Sequence, residues 1–137
     1  MKTIFTSLVL LICSLTSFAQ HPLYSIEASG AVTSIIIEGE KLYAANDAGS
    51  IECFNWKSKK LVSSIEFEHI KDFMGDDMLP KVYSIDKIKD QDILIAVSQG
   101  VHGFRDLHLI IDKKLQKILD AEQDQMMIKK AYFLNEN

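Results

Sequence analysis

Residues 42–56 read LYAANDAGSIECFNW. Leu42 to Asn46 and Ile51 to Trp56 are short runs of apolar and β-branched residues, and Asn46-Asp47-Ala48-Gly49 stands between them. Gly49 can take positive φ, so the stretch predicts a β-hairpin. Outward from it, Ala31 to Ile37 is rich in Val, Thr and Ile, and reaches Lys41 through the turn Glu38-Gly39-Glu40. On the other side the polar turn Lys57-Ser58-Lys59 leads into Leu61 to Phe67. Four short strands with closely spaced turn signals are therefore expected, and the fold class is all-β.

The pattern then recurs. Val82 to Ile88 matches Val32 to Ile37, each with a Ser-Ile pair inside, Ser34-Ile35 and Ser84-Ile85. Ile93 to Ser98 matches Leu42 to Asn46, Leu107 to Asp112 matches Ile51 to Trp56, and Lys114-Leu115 opens a fourth strand as Lys60-Leu61 does. The offset is about 50 residues, the size of a four-stranded propeller blade. Ile128 to Leu134 reads as the first strand of a third unit. Lys113 to Asp124 also carries Leu115, Ile118 and Leu119 at helical spacing, but the repeat favours a strand to about Asp120. The expected architecture is an incomplete WD40-like β-propeller, with a β-sandwich as the alternative. Its parts are a lead-in at 20–30, blades at 31–68 and 81–122, and the start of a third blade at 127–137. Two blades and a strand do not close a ring, so an N-terminal fragment of a longer propeller, or a truncated product, is expected. Packing between blades should bury Ile35, Ile37, Val82, Ile93, Ile95 and Val97.

The first residues carry an export pattern. Lys2 is a positive n-region, Ile4 to Ile12 is apolar but for Thr6 and Ser7, and Ser17-Phe18-Ala19 places small residues before a signal-peptidase cut. Residues 1–19 read as a cleavable signal peptide and the protein as periplasmic. An uncleaved span would need roughly 20 apolar residues, and Ser14, Thr16 and Ser17 shorten this one. Lipid attachment at Cys13 is disfavoured by the bulky Ile12 before it. Cleavage leaves Cys53 alone, without a disulfide framework, in a run where it shares a face with Ile51. The formal net charge is −4, with lysines and acids mixed along the chain and no basic stripe. That argues against nucleic acid and anionic membrane surfaces as partners.

In a four-stranded meander the connections fall on two opposite edges. One edge has only short turns. The other holds His69 to Pro80 (HIKDFMGDDMLP) and Gln99 to Asp106 (QGVHGFRD). Long, chemically varied loops on a rigid scaffold are where binding concentrates. The candidate partner-binding residues are therefore Asp72, Phe73, Met74, Asp76, Asp77, His102, Phe104 and Arg105. Phe73 and Met74 are equally suited to plug a gap between blades. His102 and His108 read as a solvated pair. His21, His69, His102 and His108 form no metal-ligand spacing, and the acids at 72–77 lack the closing Glu of an EF-hand. Met74, Met78, Met126 and Met127 read as core filler before copper ligands. No nucleophile elbow, P-loop or dinucleotide fingerprint occurs, so neither a catalytic residue nor a cofactor is expected.

Asp72-Phe73-Met74-Gly75-Asp76, Pro80-Lys81-Val82-Tyr83-Ser84-Ile85-Asp86, Gly103-Phe104-Arg105 and Ile128-Lys129-Lys130-Ala131 together resemble the WD40-like periplasmic accessory proteins encoded with periplasmic nitrate reductases, the NapL type. The resemblance runs the length of the chain and implies a non-catalytic scaffold that binds components of that reductase system. The alternatives are a propeller enzyme or cofactor binder whose catalytic residues lie in other blades, and a carbohydrate-binding β-domain, which the single Trp56 supports poorly. The export reading predicts a mature chain beginning at Gln20. N-terminal sequencing of the protein from its native host checks this, and a retained Met1 in the periplasmic fraction refutes it.

Overall fold

A computed structural model describes residues 24–134. The signal-peptide expectation lies outside the described residues, as do the last three residues of the expected third blade. The chain forms β1 (Val32–Glu38), β2 (Lys41–Asn46), β3 (Ser50–Asn55) and β4 (Lys60–Glu66), a four-stranded antiparallel sheet in the order β1-β2-β3-β4. A small hairpin, β5 (Ile70–Lys71) and β6 (Asp77–Met78), follows. The second sheet contains β7 (Val82–Lys87), β8 (Ile93–Gln99), β9 (Arg105–Ile111) and β10 (Lys114–Leu119), again as a meander. A four-residue helix, α1 (Ala121–Asp124), closes the regular structure. No helix of the described residues is long and apolar enough to cross a membrane.

The two sheets share their strand order, and their first three strands share a register; the irregularity in the last pair falls at Cys53–Phe54 in one sheet and at Lys117–Leu119 in the other. β1 bulges between Val32 and Ser34, then pairs Ser34 with Ala45 and Ile35 with Ala44. β7 bulges between Val82 and Ser84, then pairs Ser84 with Val97 and Ile85 with Ala96. The same backbone hydrogen bond precedes each bulge, Asp47 N–H to Ala31 O and Gln99 N–H to Lys81 O. Residues 113–124 divide: the strand runs to Leu119 and includes Leu115, Ile118 and Leu119, the residues at helical spacing, and α1 follows as a separate turn.

Successive side chains of a strand point to opposite faces. Tyr43, Ala45, Ile51, Cys53 and Ile65 occupy one face of the first sheet, called here its front. They join Val82, Ile85, Leu94, Ala96 and Ile110 of the second sheet in one core. By the register above, Ile85 and Ala96 correspond to Ile35 and Ala44, which lie on the back of the first sheet. The sheets therefore stack front on back, so that non-corresponding faces meet.

This corrects part of the expected core. Val82 and Val97 are buried and Ile93 and Ile95 half-buried, but Ile35 and Ile37 stand 57% and 62% exposed. They lie on the back of the first sheet, which the second sheet does not touch. Cys53 is buried as expected, and burial pushes its thiol up. Residues 128–134 are a further correction, because they form no strand. They meet the second sheet through Phe133 N–H, which donates to Asp86 Oδ2 at 2.7 Å. Their composition suits a strand, but a strand exists only against a hydrogen-bonded neighbour, and none pairs with them here.

The sheets are fastened where β1 and β7 meet. Ile85 N–H donates to Ser34 Oγ at 3.4 Å, and Thr33 Oγ1 donates to Val82 O. Lys87 Nζ meets Glu38 Oε2 at 2.7 Å, and Asp90 N–H donates to Glu38 Oε1 at 2.8 Å. The Lys87 side chain is 4% exposed. Its hydrogen bond, followed by that from Asp90, holds the Glu38 carboxyl below its ordinary value. Hydrogen bonds to charged groups contribute about 2 kcal/mol. Glu38→Ala should therefore lower stability by about 2 kcal/mol at neutral pH. A carboxyl whose folded pKa is depressed stabilises above its unfolded value and loses that contribution as pH falls through its folded one. The wild-type and variant stabilities should thus converge below the ordinary carboxylate value of 4.5. Urea titration across pH checks both effects.

Candidate functional site

The His69–Pro80 loop is an ordered hairpin. Ile70 pairs with Met78 and Lys71 with Asp77. Asp72 shapes the tip: its Oδ1 accepts N–H bonds from Met74 at 2.8 Å and Asp76 at 2.9 Å. Its own N–H donates to Asp76 O at 2.9 Å, and Gly75 turns the chain with φ +90°. An Asp that bonds the backbone two and four residues on, followed by a residue at positive φ, is a self-supporting turn. Lys71 and Asp77 form an exposed ion pair at 2.8 Å, and that contact draws the Asp77 carboxyl below its usual range.

The consequence is at the tip, where Phe73 is 91% and Met74 73% exposed. The gap-plugging role open to these two in the sequence is not what they do. A turn locked by its own hydrogen bonds needs little backbone ordering on docking.

The second loop lies beside the base of this hairpin. Gln99 Oε1 accepts from Lys81 N–H at 3.3 Å, and Gln99 Nε2 lies 3.9 Å from Met78 Sδ. A 3-10 turn, Val101–Gly103, follows, with His102 at φ 55° and Gly103 at φ 81°. His102 is exposed and Phe104 half-buried. The Arg105 guanidinium sits 3.9 Å from the Tyr83 ring centroid and donates to Gly103 O at 2.9 Å. Arg105 is thus a brace for the loop. A cleft of about 220 Å³ joins β5 to this loop and to α1. Of the candidate residues, Phe73, Met74, Asp76 and His102 face solvent, while Asp72, Asp77 and Arg105 hold the loops in shape.

A larger cavity, about 400 Å³, opens between the sheets away from the β1–β7 contact. Phe67, Leu115, Ser98, Asp106, His108 and Lys117 are among its lining. His108 is buried, which corrects the solvated pair expected with His102. Its Nε2 lies 3.0 Å from Ser98 Oγ, and Phe67 meets the ring edge-on with centroids 5.0 Å apart. A signal was legible here: Ser98, Asp106 and His108 fall on one face of β8 and β9 by simple alternation.

Serine, histidine and aspartate are the residue types of a nucleophilic relay, which requires the acid on the far imidazole nitrogen and an accessible hydroxyl. Here the Asp106 carboxylate is taken by Ala121 N–H at 2.7 Å and Lys117 Nζ at 3.2 Å. Ser98 is 1% exposed. The cluster is a structural polar network. Among the described residues, no group of three or more His, Cys, Asp or Glu is placed to hold a metal ion.

No protein-family model matches the chain, and no curated protein matches it in sequence.

Burial, opposed by the Asp106 charge, pushes the His108 pKa below its ordinary 6.5. Lys117, Asp120 and Glu68 are the other charges acting on it. A histidine with a depressed folded pKa leaves the unfolded state binding more protons. Its contribution to stability is therefore constant above the ordinary value and falls as pH drops below 6.5. His108→Gln should flatten the thermal-stability profile between about pH 7 and 5. An unchanged slope in the variant refutes the assignment.

Proposed function

We propose that this chain is an exported, non-catalytic protein-binding module built of consecutive β-propeller blades, and that it serves a periplasmic nitrate reductase system as an accessory scaffold. The observation that carries the binding reading is the Phe73–Met74 tip: two large apolar side chains presented to water by a turn that Asp72 and Gly75 make rigid. Binding energy in protein contacts concentrates in a few such anchors.

Two features support the propeller reading. The first three strands of the sheets repeat in register, and the sheets stack front on back. In a sandwich of two related sheets, corresponding faces would meet. The export and nitrate reductase elements rest on the N-terminal residue pattern and on the resemblance carried by the 72–76, 80–86, 103–105 and 128–131 segments.

Phe73→Ser with Met74→Ser should leave stability within about 0.5 kcal/mol of wild type, because both side chains are exposed. The same double change should weaken capture of reductase components from periplasmic extract at least tenfold, which corresponds to about 1.4 kcal/mol. Equal capture by the double variant, or no reductase component captured by the wild type, refutes the proposal.

A further inference from the structure

The back of the first sheet repeats, position by position, a face that is covered in the second. Ile35 opposes Ala44 as Ile85 opposes Ala96, and Leu42 opposes Phe54 as Leu94 opposes Ile110. Ile85 is 5% exposed, yet its counterpart Ile35 is 57% exposed. Elsewhere this face is shielded: Ser29 N–H of the lead-in sits on the Glu52 carboxylate and Tyr24 lies against Lys59, and Ala44 and Phe54 are buried, so the opening is at β1.

The opposite end of the stack shows the complementary deficiency. Ser84 Oγ is the one buried side-chain polar atom among the described residues that has no hydrogen-bond partner. Its counterpart, Ser34 Oγ, receives the Ile85 N–H. A buried hydroxyl without a partner costs about 1–3 kcal/mol and marks a contact still to be made. Residues 125–134 lie over this end. They are held by Phe133 N–H on Asp86 and by Met126 O on Arg105 N–H, with no ladder. They leave Met127, Tyr132 and Leu134 exposed.

We propose that copies of this chain associate head to tail, the back of β1 in one copy docking through Ile35 and Ile37 on the front of β7 in the next. In that contact Ile35 N–H takes the place at Ser84 Oγ that Ile85 N–H takes at Ser34 within the chain. The loosely held 125–134 segment yields to it. A back-to-back dimer would bury Ile35 but leave Ser84 without its donor. The contact is heterologous, so successive copies close into a ring or run on as a filament. This proposal goes beyond accessory binding. It rests on the front-on-back stacking of blades and not on the hairpin tip.

Sedimentation velocity on the purified chain and three variants tests it. Ile35→Arg blocks the back and Asp86→Arg the front; Ile111→Arg, at an exposed front position, is the second front variant. Wild type should sediment as an oligomer larger than a dimer and each variant as a monomer. An equimolar mixture of a back and a front variant should restore a heterodimer, because each retains the face the other lacks. A monomeric wild type, or association lost in the single variants and not restored by mixing, overturns the proposal. Ile85→Arg separates this failure from that of the blade reading. If Ile85→Arg unfolds the chain while wild type is monomeric, the stacking stands and copy docking is wrong. If Ile85→Arg melts like wild type, the stacking itself is wrong.

Discussion

The seam between β1 and β7 is the constraint from which the rest of the molecule hangs. Each of these strands has a ladder on one edge only, and the two share no ladder with each other. Backbone groups turned toward a buried contact must find partners, and here short polar side chains supply them. Thr33 and Ser34, released from simple alternation by the bulge, reach across to Val82 and Ile85, and Glu38 reaches Lys87 and Asp90. Because β2–β4 and β8–β10 extend outward from this line, the sheets are closest there. The 400 Å³ cavity opens on the far side, among residues of β9, β10 and the segment after β4.

Local hydrogen bonding decides which loop residues are left for the proposed binding. The two long loops are anchored by side chains that spend their hydrogen-bonding capacity locally, as Asp72 does on Met74 and Asp76 and Arg105 does on Gly103. A residue so engaged shapes the loop, and a partner meets its neighbours. Selecting the loop by length and variety therefore brings scaffold and contact residues together, and only hydrogen bonding separates them. Phe73 and Met74 are the proposed contact pair because both side chains are exposed.

The hairpin around Asn46–Gly49 and the second copy of the meander were legible because period-two alternation and turn chemistry are local properties. Which face of a sheet is covered is not local. Alternation groups Ile35 with Ile37 and separates them from Ile36, but either set can face the neighbouring sheet. The expected burial of Ile35 and Ile37 failed on that point. The β5–β6 hairpin escaped notice because strands of two residues carry no period, although Asp72 and Gly75 announced a turn. Ile128–Leu134 shows the reverse case, β-rich composition without a strand, since composition cannot provide a pairing partner.

The polar networks give the strands of each sheet a register that apolar contact alone would leave loose. Asn46 is hydrogen-bonded to Ala48 N–H, Ser50 N–H, Ser50 Oγ and Ser29 Oγ, and Glu52 accepts from Ser29 N–H. At the corresponding place in the second sheet stand Ser98, Asp106 and His108. Both sets lie on a back face, at the long-loop end. An apolar surface of Ile, Val and Ala tolerates sliding by a residue at modest cost, whereas a buried carboxylate or imidazole tolerates no register that leaves it without partners. Asp106 further ties β9 to α1 and β10 through Ala121 and Lys117. Two kinds of restraint thus act at once. The seam fixes how the two sheets sit against each other, and the networks fix the register inside each sheet and tie the lead-in to the first and α1 to the second.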